Sequence, residues 1–185
     1  VWSITAGNTD GDNDNSLPFA INSGTGAITV NDADDLDFET TPTYTLTVQA
    51  TDGATQTDTE EITITISDVA PTVVDTDATI SETAAANSAV VTVSTTGDAS
   101  GLTWSITGGN GDGVFAIDSV TGAITVSSTT NLNYESTTNY VLTVQATDGT
   151  TPDSEDITIT ISNAVPTVTD TDATIAETAA ASSAV

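Results

Sequence analysis

Almost every side chain in this sequence that could do chemistry is a carboxylate. Its 185 residues include 27 Asp and Glu but no Lys, Arg, His, Cys or Met, for a formal charge of −27. A serine or threonine nucleophile needs an activating base such as His or Lys, and the chain has neither. Paired carboxylates of the glycosidase kind are the only acid–base machinery left. In so acidic a chain adjacent pairs arise by chance, and no enzyme is expected. The usual zinc, haem and iron–sulfur ligands are missing, and disulfides, Schiff bases and Lys–Asn isopeptide bonds are impossible. With no cationic side chain to neutralise phosphates, nucleic acid and anionic membrane surfaces are not expected as partners. Apolar stretches of a handful of residues fall far short of the ~20 that a membrane-spanning helix needs.

The densest acidic stretch is Asp10-Gly11-Asp12-Asn13-Asp14-Asn15. Alternating Asp fits a calcium loop, but the EF-hand pattern fails: position six is Asn15 and position twelve is Ile21. The segment reads as a solvated turn. It lies in a loop longer than its counterpart later in the chain, since Trp2 and Phe19 are 17 positions apart and Trp104 and Phe115 only 11. The two tryptophans could form a sugar-binding platform. Their equivalent places in like strands instead assign both to cores.

What positions these acids is an internal repeat. TGAITV occurs at 25–30 and 121–126, and LTVQATDG at 46–53 and 142–149, each pair 96 residues apart. DTDATISETAAANSAV at 75–90 returns as DTDATIAETAAASSAV at 170–185, 95 residues on. A unit of that size is a whole domain, well beyond the 20–50 residues of solenoid repeats. The phase gives a partial repeat over 1–69, lacking its first strands, a complete one over 70–165, and the first strands of a third over 166–185. The chain reads as a window on a longer array.

Each repeat reads as all-β. Ile62, Ile64 and Ile66 alternate with Thr63 and Thr65, as Ile157, Ile159 and Ile161 do with Thr158 and Thr160, so one face is apolar and the other polar. Tyr44-Thr45-Leu46-Thr47-Val48, Leu102 to Ile106 and Ala123 to Val126 give further strands, punctuated by Gly, Asn, Asp and Ser. Six or seven short strands per repeat predict tandem Greek-key β-sandwich domains. The Ala84-Ala85-Ala86 run is too short to predict a helix.

The ordered motifs of the complete repeat then become specific. They run from Thr79-Ile80-Ser81-Glu82 through Leu102 to Thr107, Phe115-Ala116-Ile117-Asp118, Thr121-Gly122-Ala123-Ile124 and Leu132-Asn133-Tyr134-Glu135. They end in Tyr140 to Gly149 and the Ile-Thr alternation. This series resembles a cadherin repeat, of the divergent type found in tandem in large bacterial surface proteins. The resemblance implies calcium at the junctions between domains. Carried over by motif, the first junction draws on Asp37, Glu39, Asp68 and Asp148, with Asp98. The next draws on Glu82, Asn133, Glu135 and Asn163. Asp52 and Glu177 stand at the positions equivalent to Asp148 and Glu82, and Asp75 and Asp77 lie near enough to the linker to contribute. The family's Asn-Asp-Asn linker segment is missing, and Asn131 and Asn133 replace Asp35 and Asp37. Fewer than three ions per junction are therefore expected, with the second junction the weaker.

The functional expectation is an extracellular or cell-surface array, stiffened by calcium, that serves as stalk, spacer or matrix of a microbial surface protein. Its partners would be neighbouring repeats or copies of itself. Two other readings stand beside it. One is a filament subunit joined head to tail by strand addition; the other is an adhesion module recognising another copy, a surface protein or a glycan.

Overall fold

The computed structural model describes residues 1–170 and 172. All regular structure in it is β, in fourteen strands. The first unit contains β1 (Trp2–Ala6), β2 (Phe19–Ile21), β3 (Ile28–Val30), β4 (Thr43–Thr51) and β5 (Thr57–Thr65). The second contains β6 (Thr72–Val73), β7 (Ala78–Ser81), β8 (Ala89–Thr92), β9 (Thr95–Thr96) and β10 (Thr103–Gly108). It continues through β11 (Phe115–Ile117), β12 (Ala123–Val126), β13 (Asn139–Thr147) and β14 (Pro152–Ser162). Among the described residues no helix is long and apolar enough to cross a membrane.

The second unit is a sandwich of two main sheets, ordered β10-β13-β14-β7 and β11-β12-β8. β7 joins β14 in parallel and the long β13–β14 hairpin is antiparallel. Alternation along the hairpin buries Tyr140, Leu142, Val144 and Ala146 from β13 and Ile157, Ile159 and Ile161 from β14. They meet Phe115, Ile124 and Val126 from the opposing sheet, and Trp104 closes the same core. The Phe115 and Tyr140 rings meet edge to face at 5.3 Å, a favourable quadrupole arrangement. Nine strands form rather than six or seven. The two-residue β6 and β9 pair with each other, and pieces that short carry no periodicity to read. Ala84 to Ala86 lie outside any helix.

The first unit repeats the hairpin and its register: Trp2 pairs with Ala50 as Trp104 pairs with Ala146. Its sheets are β1-β4-β5 and β2-β3, and its core is smaller, centred on Phe19, Tyr44, Leu46 and Val48. The expectation that both tryptophans are core residues fails for one of them. Trp104 is 5% exposed but Trp2 is 40% exposed. The shared register makes the cause a matter of cover. In the second unit β7 and β8 complete the sheet edges and Val93 packs into the core beside Trp104; among the described residues the first unit has no such segment. Ile62 is likewise 38% exposed where its equivalent Ile157 is fully buried.

Candidate metal centre at the repeat junction

Three segments far apart in sequence converge where the two units meet. From the first unit comes the turn at 36–41, in which the Thr40 amide donates to Asp37 Oδ1 at 2.9 Å and the Thr41 amide to the Asp37 carbonyl at 2.8 Å. That Asp-capped turn presents Glu39. The linker after β5 brings Asp68. From the second unit comes the β13–β14 turn, where Asp148 Oδ1 accepts the amides of Thr150 at 2.8 Å and Thr151 at 3.0 Å. This fixes the Asp148 side chain and leaves its other oxygen pointing elsewhere.

One carboxylate oxygen from each of Glu39, Asp68 and Asp148 lies within 4.8 Å of the others. Three negative charges at that spacing repel by about 3 kcal/mol per pair at an effective dielectric constant of ~20. Protein groups answer little of this. The Thr150 hydroxyl stands 2.9 Å from Asp148 Oδ1, 3.1 Å from Asp68 Oδ2 and 3.3 Å from Glu39 Oε1. It has one proton and can donate to only one of them at a time. Thr151 Oγ1 adds a 2.8 Å contact to Asp68 Oδ2. Glu39 Oε2, Asp68 Oδ1 and Asp148 Oδ2 are buried with no hydrogen-bond partner, although such atoms in folded proteins are normally satisfied. The arrangement fits a hard divalent cation. Two oxygens that each approach one ion at ~2.4 Å must lie within about 4.8 Å of each other, a condition all three pairs meet, and three carboxylates supply the charge. The chain has no Lys, Arg or His that could do so instead.

A second contact spans the same seam. Ser100, in the loop before β10, donates its hydroxyl to Asp37 Oδ2 at 3.1 Å, and its amide donates to Asp98 Oδ1 at 2.7 Å. Asp37 and Asp98 thus bracket one serine and lie outside the three-carboxylate group. The Thr40 amide, with the Ser100 hydroxyl adding to it, holds the Asp37 carboxyl below its ordinary pKa against the opposing cost of desolvation. The Thr150 and Thr151 amides do the same for Asp148. Both are poised as anions.

The remaining site residues are placed differently. Asp52 sits exposed in the β4–β5 turn, accepting the amides of Ala54 at 2.8 Å and Gln56 at 2.9 Å, apart from the junction acids. Glu82 accepts the Ala164 amide at 2.6 Å and the Tyr134 amide at 3.0 Å. Those two bonds, Ala164's the larger influence, depress its pKa and tie β7 to the 132–137 turn. Asn133 Oδ1 caps the Glu135 amide at 2.8 Å, and Asn133, Glu135 and Asn163 are exposed. Glu177 lies outside the described residues. Asp77 accepts the Thr158 amide at 2.7 Å on the β14 edge, which engages it there instead of at the junction. Thr150, Thr151 and Ser100 carry no signal in the sequence, since a hydroxyl in a threonine-rich chain does not stand out.

Sandwich units in tandem, with acids gathered at their seam, define a class of multidomain β-repeat protein. The cadherin domain family model matches residues 2–67 and 76–162, and the chain belongs to the cadherin family. Mouse cadherin EGF LAG seven-pass G-type receptor 2 is 39% identical over 157 residues, covering 80% of this chain and 5% of that protein. Human protocadherin Fat 1 is 52% identical over 56 residues, 30% of this chain and 1% of that protein. The chain therefore spans a twentieth or less of the length of these curated relatives. Among solved structures, mouse clustered PcdhgC3 EC1-3 aligns with a TM-score of 0.49 at 23% identity, over 88% of this chain and 55% of that one. Drosophila N-cadherin EC1-3 gives 0.48 at 23% identity, with the same coverage.

Proposed function

We propose that this chain is a segment of an extracellular array of cadherin repeats whose junctions are stiffened by calcium, working as stalk, spacer or matrix of a surface protein. The microbial setting rests on the sequence resemblance alone. The repeats are taken as 1–69, 70–165 and the start of a third at 166–185. The observation that carries the reading is the convergence of Glu39, Asp68 and Asp148 with three buried, unpartnered oxygens. Without a cation these groups push the two units apart; with one, they clamp the linker between them. Near-identical consecutive repeats suit extension, because copying adds length, whereas a ligand site needs only one distinct domain. Small-angle X-ray scattering tests the proposal. Adding calcium should lengthen and narrow the distance distribution and chelator should reverse it; an unchanged profile removes calcium from the mechanism.

Head-to-tail addition of copies is a second reading with its own support. Among the described residues the β5 and β3 edges have no further strand beside them. The stretch 170–185 repeats, with two substitutions, the sequence at 75–90 that supplies β7 and the start of β8 in the second unit. A synthetic peptide of 170–185 should bind the chain and protect Trp2 from quenching by acrylamide. Absence of binding at millimolar peptide sinks this reading.

A further inference from the structure

The acidic loop of the first unit, which by its EF-hand mismatch reads as a plain solvated turn, stands on a buried base that the sequence does not announce. Asp35 is 5% exposed. Its Oδ1 accepts the amides of Gly11 at 2.6 Å and Asp12 at 3.3 Å, which turns the carboxylate towards the loop. Its Oδ2 is buried with no partner. One oxygen from each of Asp10, Asp12 and Asp35 lies within 4.8 Å of the others. A cavity of about 200 Å³ opens beside them, lined in part by Thr9, Gly11, Asp34 and Tyr44.

The loop is built to hold this shape. Asn8 closes its base with a pair of bonds, Nδ2 to the Phe19 carbonyl at 2.7 Å and Oδ1 from the Phe19 amide at 3.1 Å. Asn110 makes the same pair to Phe115 at the same distances in the second unit. The six extra residues of the first unit therefore all fall inside a geometric clamp that both units share, and the acids are what they add. Within the loop Asp10 accepts the amides of Asn13 at 2.6 Å and Asn15 at 2.9 Å, while Asn13 and Asn15 take positive φ of 67° and 74°, a conformation Asn tolerates better than most residues. Asp12 spends only Oδ1 on an amide, that of Asp14 at 3.0 Å.

A buried carboxylate needs a compensating charge or a full set of hydrogen bonds. No cationic side chain exists in the sequence to supply the first, and Asp35 Oδ2 lacks the second. We propose that Asp10, Asp12 and Asp35 form a separate binding site for a hard divalent cation of the calcium type, inside the first repeat and independent of the junction. The second repeat lacks this site. Asn131 replaces Asp35, with the carbonyl of each held by the equivalent tyrosine at 2.6 Å, and its loop has the single acid Asp112.

The test is calorimetric titration of the full chain with calcium chloride in Asp148→Asn, which disables the junction, and in that background with Asp12→Asn or Asp35→Asn added. One binding event should survive in Asp148→Asn, and either further substitution should abolish it or weaken it at least tenfold, with the far-ultraviolet circular dichroism of the chelated protein unchanged. Equal binding in all three variants overturns the proposal, as does absence of binding in Asp148→Asn when wild type binds. Should Asp35→Asn disturb folding, Asp12→Asn decides, because that side chain is exposed.

Discussion

The Tyr44 phenol donates a 2.6 Å hydrogen bond to the main-chain carbonyl of Asp35. Nine residues separate the two, and the bond ties a core strand to the acidic turn that precedes it. Tyr140 and Asn131 repeat it at 2.6 Å in the second unit. The turn so anchored runs directly into Asp37 and Glu39, so a tyrosine that touches no junction ligand sets the position of two junction acids. Burial of the ring, with the negative field of Asp35 second, raises the Tyr44 pKa, so the hydroxyl keeps its proton and remains a donor.

Tyr44→Phe should therefore cost about 1–2 kcal/mol of stability, the usual consequence of stranding a buried carbonyl. It should also weaken calcium binding at the junction, while Tyr140→Phe should show the stability loss with junction affinity retained. Urea denaturation followed by calcium titration of both variants checks this.

Asp148→Asn should abolish the calcium-dependent stiffening of the junction. It should also remove the junction's calcium-dependent contribution to stability, which for an extracellular-type site of Kd ~10⁻⁴–10⁻³ M in ~1 mM calcium is ~0.4–1.4 kcal/mol. Thermal melts with and without chelator give the stability; scattering profiles give the stiffness. Asp52→Asn, in the equivalent turn of the first unit, should leave both measurements unchanged.

The tryptophans should respond unequally. Trp104→Ala opens a cavity in a closed core and should cost about 3–5 kcal/mol. Trp2→Ala removes a side chain already 40% exposed and should cost less than half as much. Urea unfolding followed by far-ultraviolet circular dichroism compares them.

Asp118 provides a clean titration because it belongs to neither acidic group. The Thr121 amide, and after it the Val120 amide, hold its carboxyl below the ordinary aspartate value. Its stabilisation is therefore complete above the unfolded pKa of about 3.9 and is lost as pH falls through the lower folded value. Asp118→Asn should be less stable than wild type at pH 7, and the gap should close as pH falls through the lowered folded value. It should fold normally, because Asn22 already caps the same turn in the first unit, taking the Gly24 and Thr25 amides at 2.9 Å each. Melting temperatures from pH 7 to 2, measured in chelator, read out the difference.

At Gly109 a side chain has no room. Its φ is +76°, and an added Cβ would collide with the Val141 carbonyl beside the bulge between β10 and β13. Gly109→Ala should cost at least ~2 kcal/mol, combining left-handed strain with a backbone displacement. A urea midpoint close to that of wild type would show that the bulge can relax.

Local periodicity settles much of this protein's architecture. The alternation of Ile with Thr fixes which face of β14 is apolar, because strand side chains point to opposite faces in turn whatever lies around them. The spacing of repeated motifs fixes the tandem organisation for the same reason, since it depends on the chain alone. Composition alone leaves the carboxylates without any cationic side chain as partner. Only the tertiary structure decides which carboxylates meet. Glu39, Asp68 and Asp148 come from a turn, a linker and a hairpin, and the path of the linker between the units selects them while leaving Asp37 and Asp98 to share Ser100. Asp35 reads in sequence as one more acid beside Leu36, and it is buried because a loop from 24 residues earlier folds over it. Cover, likewise, separates two tryptophans of identical register, since burial depends on what packs from the far side of the sheet and not on the strand that carries the residue.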